Sequence, residues 1–114
     1  MDRASQFDTV RELVDKTQDA RMDADVAAAK AAVISKAIPQ LTTAYNSAHQ
    51  RFMTDESVGG ELASARQALL TAQEQLGPAI KAAQQAYTVF TTVYTQLDAA
   101  VTNLLADPGA TEQV

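Results

Sequence analysis

The sequence predicts an all-α fold, a long antiparallel helical hairpin whose helices span about 6–53 and 60–106. Two observations predict it. Apolar residues recur at steps of three and four along both halves of the chain, and a glycine pair, Gly59 and Gly60, interrupts the pattern between them. Such uninterrupted seams are typical of helices that pack side by side. We therefore expect a single helical-hairpin domain over residues 1–107, with its turn at 54–59.

Each predicted helix carries one apolar seam. The first contains a single polar residue, Thr17, and comprises Val10, Leu13, Thr17, Ala20, Ala24, Ala27, Ala31, Ile34, Ile38, Leu41, Tyr45, Ala48 and Phe52. The second is apolar throughout and comprises Leu62, Ala65, Leu69, Ala72, Leu76, Ala79, Ala83, Ala86, Phe90, Val93, Leu97, Ala100 and Leu104. Because alanine buries little area per residue, the two seams predict a thin core whose stability depends on close helix approach and on a partner.

The register of the hairpin follows from where the chain reverses. Reversal near residue 58 aligns the two seams with Leu13 opposite Leu104 and Ala27 opposite Phe90. This alignment places a large side chain against a small one in most layers, as packing at native density requires. A register shifted by one heptad satisfies the same pattern almost as well.

Two prolines leave two architectures open. Pro39 and Pro78 stand at the same level of the predicted hairpin, so each helix would be kinked there, with Gly77 easing the second bend. Alternatively, both prolines begin new helices, which gives a compact single-chain four-helix bundle. Ser57 or Asp55 is expected to cap the second helix. Asp107 and the Pro-Gly pair after it end that helix, and residues 108–114 are expected to form a disordered tail.

A second apolar row lies beside the seam of the second helix. Its members recur every seven residues and are Ile80, Tyr87, Tyr94 and Val101. This row widens the apolar face beyond what one partner helix covers, so we expect it to be a protein interface. The hairpin would then complete a four-helix bundle by association, either as a homo-oligomer or with a helical hetero-partner.

Composition argues against several classes of partner. The formal net charge is −5, and the nine basic residues are scattered, which disfavours binding to nucleic acid or to an anionic membrane surface. The longest run without a charged residue, 82–97, contains three glutamines and four threonines and is too short and polar to insert into a membrane. The chain begins with a polar segment and shows no cleavable signal, so we expect synthesis in the cytoplasm, with signal-less export or incorporation into a virion left open.

The sequence shows no constellation of catalytic residues. His49 is the single histidine and has no obvious partner base, so a structural role is expected. Asp19, Asp23 and Asp25 lack the spacing of a calcium loop and favour a solvated helix face. Without cysteine, thiolate metal sites and thiol catalysis are excluded. We therefore predict no catalytic residue, no metal and no cofactor, and a protein that is not an enzyme.

The layout also carries a resemblance to a known family. The turn reads Val58-Gly59-Gly60, and Tyr94 is followed four residues later by Asp98. An acidic helical hairpin of this length with a late Tyr-x-x-x-Asp resembles the WXG100 proteins of type VII secretion, although Val58 stands where that family has Trp. The resemblance implies dimerisation into a four-helix bundle and export without a cleavable signal, with Tyr94 and Asp98 in the export motif.

Two functions follow from these patterns. The thin core and the wide apolar face favour a non-catalytic helical subunit for protein binding or assembly, such as a virion structural protein, an adaptor or an immunity factor. The alternative is a signal-less secreted substrate of a type VII secretion system, as the resemblance implies.

Overall fold

The computed structural model describes residues 2–106, and two long helices account for nearly all of them. Helix α1 spans Arg3–Phe52 and helix α2 spans Gly59–Ala106. A single 3-10 turn, Glu56–Val58, joins them. Residues 2–106 contain no strand. The predicted all-α helical hairpin is therefore confirmed, whereas the predicted tail, 108–114, lies outside the described residues.

Helix α1 begins three residues earlier than predicted because Asp2 caps it. The Asp2 carboxylate accepts a hydrogen bond of 2.7 Å from the backbone N–H of Ser5, which satisfies one of the free donors of the first turn. The same bond holds the pKa of Asp2 below its ordinary value. A polar segment thus becomes helical through its cap, before the apolar seam starts at Val10.

The turn lies one residue earlier than predicted, at 53–58 instead of 54–59, since α1 ends at Phe52 and α2 already begins at Gly59. Asp55 has an extended backbone, and its carboxylate accepts hydrogen bonds from the N–H and the hydroxyl of Ser57 at 3.0 and 2.7 Å. Of the two residues predicted to cap the second helix, Asp55 caps the 3-10 turn that precedes it. Gly59 has helical dihedrals, and a Cβ placed there would lie 3.4 Å from the Phe52 ring. An added Cβ would therefore make only an ordinary van der Waals contact with Phe52, and Gly59 and Gly60 belong to the helix.

Both helices continue through their prolines. Pro39 lies inside α1 and Pro78 inside α2, and both are exposed. Because both prolines are exposed, the carbonyl that each ring leaves without an N–H partner can bond to water, and the apolar contacts of the seam are left intact. After Pro39, the hydroxyls of Thr42 and Thr43 donate to the carbonyls of Ile38 and Pro39 at 2.8 and 3.1 Å. The alternative in which the prolines begin the new helices of a compact bundle is wrong.

The chain divides into two compact units. Among the described residues, the first contains 2–26 and 84–106, and the second contains 27–83. Within each unit, every predicted seam position is buried or half-buried. The residues that are most protected from solvent are alanines, namely Ala20, Ala24, Ala48 and Ala72. The two seams and the thin, alanine-based core are thus confirmed.

The register differs from the prediction by one heptad. In the second unit, Arg51 forms an ion pair of 2.8 Å with Glu61 across the turn. This contact agrees with a reversal centred near residue 55 instead of 58, since α1 ends at Phe52 and α2 starts at Gly59. This earlier reversal places Ala48 opposite Leu62 and Ala27 opposite Ala83, so the predicted pairing of Ala27 with Phe90 is wrong.

The first unit has the same shifted register. Gln6 and Thr9 of α1 line one shallow groove together with Ala100, Asn103 and Leu104 of α2. The pairing of Leu13 with Leu104 is therefore wrong as well. In the shifted register, Ala20 lies opposite Phe90, Ala24 opposite Ala86, and Leu13 opposite Leu97.

Candidate interaction surface

The predicted interface row of α2 is largely open to solvent. Tyr87 is 64 % exposed, Tyr94 is 54 % exposed and Ile80 is 42 % exposed, whereas Val101 is half-buried. Tyr87, Tyr94 and Val101 belong to the first unit, and Ile80 belongs to the second. Two large tyrosine rings therefore stand on the surface of the first unit, one heptad apart on one helix.

The tyrosines belong to a longer exposed row, which we call the tyrosine stripe. It comprises Gln84, Tyr87, Thr91, Tyr94 and Asp98, all exposed and all in the first unit. These residues are separated by three or four positions, so they lie along one face of α2. The tyrosines and Asp98 were predicted from the sequence, whereas Gln84 and Thr91 were not. Gln84 and Thr91 could have been found from their spacing, because Gln84, Thr91 and Asp98 are each seven residues apart.

Charge is distributed unequally between the two helices of the first unit. Residues 3–26 of α1 carry ten charged side chains, whereas residues 84–106 of α2 carry only Asp98. A helix whose outer face is exposed to water normally carries charged residues there. The α2 side of the first unit is therefore a nearly uncharged surface, and the α1 side is the charged one.

The threonines of this region present methyl groups instead of free hydroxyls. The hydroxyl groups of Thr88, Thr91, Thr92 and Thr95 each donate to the carbonyl four residues earlier, at 2.9–3.0 Å. Each hydroxyl is thus bonded within its own helix, which leaves its methyl group exposed to contact. The surface between the tyrosines is consequently more apolar than its amino-acid composition indicates.

An aromatic ladder connects the tyrosine stripe with the seam. The ring of Phe90, a seam residue, lies 6.2 Å from the ring of Tyr87 and 6.1 Å from the ring of Tyr94, measured between centroids. Both pairs are tilted, which is a favourable arrangement for aromatic rings. Packing against Phe90 restrains both tyrosines, so their exposed faces form a preorganised apolar surface.

A groove of about 270 Å³ lies between the first turns of α1 and the last turns of α2 in the first unit. Two polar atoms in this region, Arg3 Nη1 and Gln6 Oε1, are buried and find no hydrogen-bond partner among residues 2–106. The Arg3 guanidinium lies 5.2 Å from the centre of the Phe7 ring, a cation–π contact. The groove is shallow and holds no cluster of catalytic groups.

The residues that were candidates for catalysis or metal binding lie on the surface, without neighbouring groups that would activate them. His49 is exposed, and its ring stacks on Tyr45 with centroids 6.3 Å apart. Asp19, Asp23 and Asp25 are also exposed. Within residues 2–106 no three histidine or acidic side chains are grouped so as to hold a metal ion. Over the same range, neither helix has a stretch apolar and long enough to cross a membrane.

Other exposed apolar residues were not singled out by the sequence analysis. Met22 and Val26 lie on the outer side of α1 in the first unit, Val33 lies in the second, and Leu105 is near the end of α2. They are scattered among exposed polar side chains and, unlike the tyrosines, are not joined by an aromatic ladder.

Comparison of the chain with protein-family models, with curated proteins and with solved structures gives no match.

Proposed function

We propose that this protein is a non-catalytic helical subunit for protein binding or assembly, the class that includes virion structural proteins, adaptors and immunity factors. The observation that carries the proposal is the uncharged α2 side of the first unit, with Tyr87 and Tyr94 more than half exposed. Water-facing helices rarely lack charge over sixteen residues, the length of segment 82–97. A helical partner covers this surface.

The proposed contact contains Ile80, Tyr87, Tyr94 and Val101. Through them, two helices of a partner pack on the hairpin and complete a four-helix bundle. Tyrosine suits such a contact because its ring supplies a large apolar area while its hydroxyl can stay hydrated or find a polar partner. We also propose that the two helices bend locally at Pro39 and Pro78, because the backbone lacks an N–H at each proline.

The proposal is tested by measuring the size of the complex that contains the protein in extracts of its native cells. The unmodified chain is expected to elute well above its own mass of 12.1 kDa. Tyr87→Glu combined with Tyr94→Glu is expected to release it, because burying unpaired charge costs several kcal/mol. A chain that elutes as a free monomer without any change contradicts the proposal.

A matched control separates the contact from a general effect of charge. Val89→Glu combined with Gln96→Glu adds the same charges, with the same spacing, on the opposite flank of the same helix segment. Both positions are exposed. This control is expected to remain in the large complex, and its release to the same extent would contradict the proposed face.

A second candidate function is export through a type VII secretion pathway. Tyr94 and Asp98 favour it, because both are exposed and lie one helical turn apart on one face of α2. Asp98→Glu preserves the tyrosine-acid spacing, whereas Asp98→Asn removes the acid and keeps the shape. Export predicts that the unmodified chain and Asp98→Glu reach the culture medium and that Asp98→Asn stays in the cells. Absence of the unmodified chain from the medium would reject export.

A further inference from the structure

We infer that the partner on the tyrosine stripe is a second copy of this chain, packed antiparallel so that α2 meets α2 around Thr91. This inference rests on the proposed function and names its partner. The tyrosine stripe fits such a contact because it is exposed, nearly uncharged and complementary to itself. A symmetric dimer uses the same surface patch on both copies, so self-complementarity is its first requirement.

The spacing of the stripe supplies the complementarity. Gln84 and Asp98 stand seven residues before and after Thr91, while Tyr87 and Tyr94 stand four before and three after it. In an antiparallel pairing centred on Thr91, each Tyr87 lies within one residue, about 1.5 Å along the helix axis, of the level of Tyr94 of the second copy. Each Gln84 meets Asp98 of the second copy. All five residues lie within the first unit.

Charge decides between antiparallel and parallel pairing. Asp98 is the single charged residue of α2 between residues 84 and 106. Parallel pairing would place the two Asp98 carboxylates together, and like charges in a contact are strongly unfavourable. Antiparallel pairing places each carboxylate beside the Gln84 amide, whose N–H groups can donate to it.

Charge also favours a second copy of the chain as the partner that covers the tyrosine stripe. The chain has a net charge of −5, so copies repel one another on most of their surface. The α2 side of the first unit carries almost none of that charge, because ten of the charged residues of this unit lie on residues 3–26 of α1. Two copies joined through α2 therefore keep their charged α1 helices in water.

The contact surface is well prepared for packing. Phe90 holds both tyrosine rings at centroid distances of 6.1–6.2 Å, which lowers the conformational entropy lost on association. At the centre, the Thr91 hydroxyl donates to the carbonyl of Tyr87 at 3.0 Å. The two copies thus meet at Thr91 through methyl groups, with no hydroxyl left without a partner.

The first test measures the mass of the purified full chain by sedimentation equilibrium. The unmodified chain is expected to pass from monomer to dimer between about 1 and 100 μM, as a contact of small area predicts. Gln84→Glu places a carboxylate against Asp98 of the second copy and should raise the dimer Kd about tenfold or more. Asp98→Asn added to Gln84→Glu should reverse most of that loss.

The reversal identifies the contact as one between two copies. Within one helix the two positions are fourteen residues apart, about 21 Å, which is beyond the screening length of physiological salt. Coupling between them therefore arises across the dimer. A chain that stays monomeric at about 100 μM overturns the inference. A dimer in which the two substitutions act independently overturns the antiparallel pairing.

The second test uses the absence of cysteine from the chain. Two single-cysteine variants, Gln84→Cys and Asp98→Cys, are mixed and oxidised mildly. Antiparallel pairing predicts that the mixed adduct dominates over both symmetric adducts. Dominance of the symmetric adducts overturns it. Thr95→Cys, on an adjacent row of the same helix, is the control and should crosslink less than either.

These outcomes are distinguishable from those of the proposed function. If the purified chain is monomeric but the chain in native extracts lies in a large complex that Tyr87→Glu with Tyr94→Glu disrupts, the proposed function holds and the self-association fails. If the purified chain dimerises as described but is always free in native extracts at its natural concentration, self-association holds and the broader assembly function fails.

Discussion

At the scale of single residues, small side chains and short polar bonds determine where the two helices begin and how they pack. Ala48 is 2 % exposed, the lowest value among the residues most protected from solvent. Asp2 and Asp55 satisfy free N–H groups at the beginnings of helical segments. The buried alanines allow the two helices to approach each other closely, and the two carboxylates determine where these helical segments begin.

Ala48→Leu is expected to destabilise the protein by about 1–3 kcal/mol, because extra carbon atoms in a filled site force its neighbours apart. Ala44→Leu, one turn earlier on an exposed position, is the matched control and should change stability by less than about 0.5 kcal/mol. Urea unfolding followed by circular dichroism measures both. Equal effects of the two substitutions would contradict the seam.

The cap at Asp55 predicts a dependence of stability on pH. The Ser57 hydroxyl and N–H hold the pKa of Asp55 below its ordinary value. A carboxyl whose pKa is lowered by folding stabilises the protein above its unfolded pKa, near pH 4, and this contribution is lost as the pH falls through the folded value. The Tm difference between the unmodified chain and Asp55→Asn should therefore shrink from pH 6 to pH 3. A constant difference would contradict the cap.

At the scale of the elements, the seams were predictable from sequence and the register was not. Steps of three and four identify the buried face because helical periodicity repeats over many turns. The register depends on where the chain reverses, and a shift of seven residues preserves every seam position. The structure decides it through local features, the Asp55 cap and the Arg51–Glu61 ion pair, which no periodicity reveals.

The register is tested by cysteine pairs within the first unit. Ala24→Cys with Ala86→Cys should form an intramolecular disulfide readily, since these positions lie opposite each other across the two helices. Ala24→Cys with Val93→Cys should not, because Val93 is about 10 Å further along α2; these two residues would be opposite each other in the predicted register that pairs Ala27 with Phe90. Crosslinking of the second pair in preference to the first would restore the predicted register.

The prolines lie in continuous helices, so their removal should stabilise them. Pro39→Ala restores a backbone N–H and removes the ring, and is expected to raise stability by about 1–3 kcal/mol. Gln40→Ala, at the exposed neighbouring position, is the control and should have a small effect. Thermal unfolding measures both changes. A marked loss of stability in Pro39→Ala would show that the ring itself makes a needed contact.

At the scale of the whole molecule, two long helices bury few large side chains, and the tyrosines of α2 remain on the surface. Sequence alone could identify Tyr87 and Tyr94, since a second row at heptad spacing is visible in the letters. It could not show that the neighbouring threonine hydroxyls are bonded within the helix or that Phe90 holds both rings. Those are side-chain contacts, and they turn a row of residues into a surface suited to binding.

The most direct measurement is hydroxyl-radical footprinting of Tyr87 and Tyr94, comparing the chain in its native cells with the purified chain diluted to about 1 μM. Met22 and Met53, exposed in regions outside the tyrosine stripe, are internal references. We expect both tyrosines to be labelled several-fold less in cells than in the dilute chain, and the two methionines to be labelled equally. Equal labelling of the tyrosines in both samples would mean that no partner covers them in the cell, and the proposed interaction surface would be wrong.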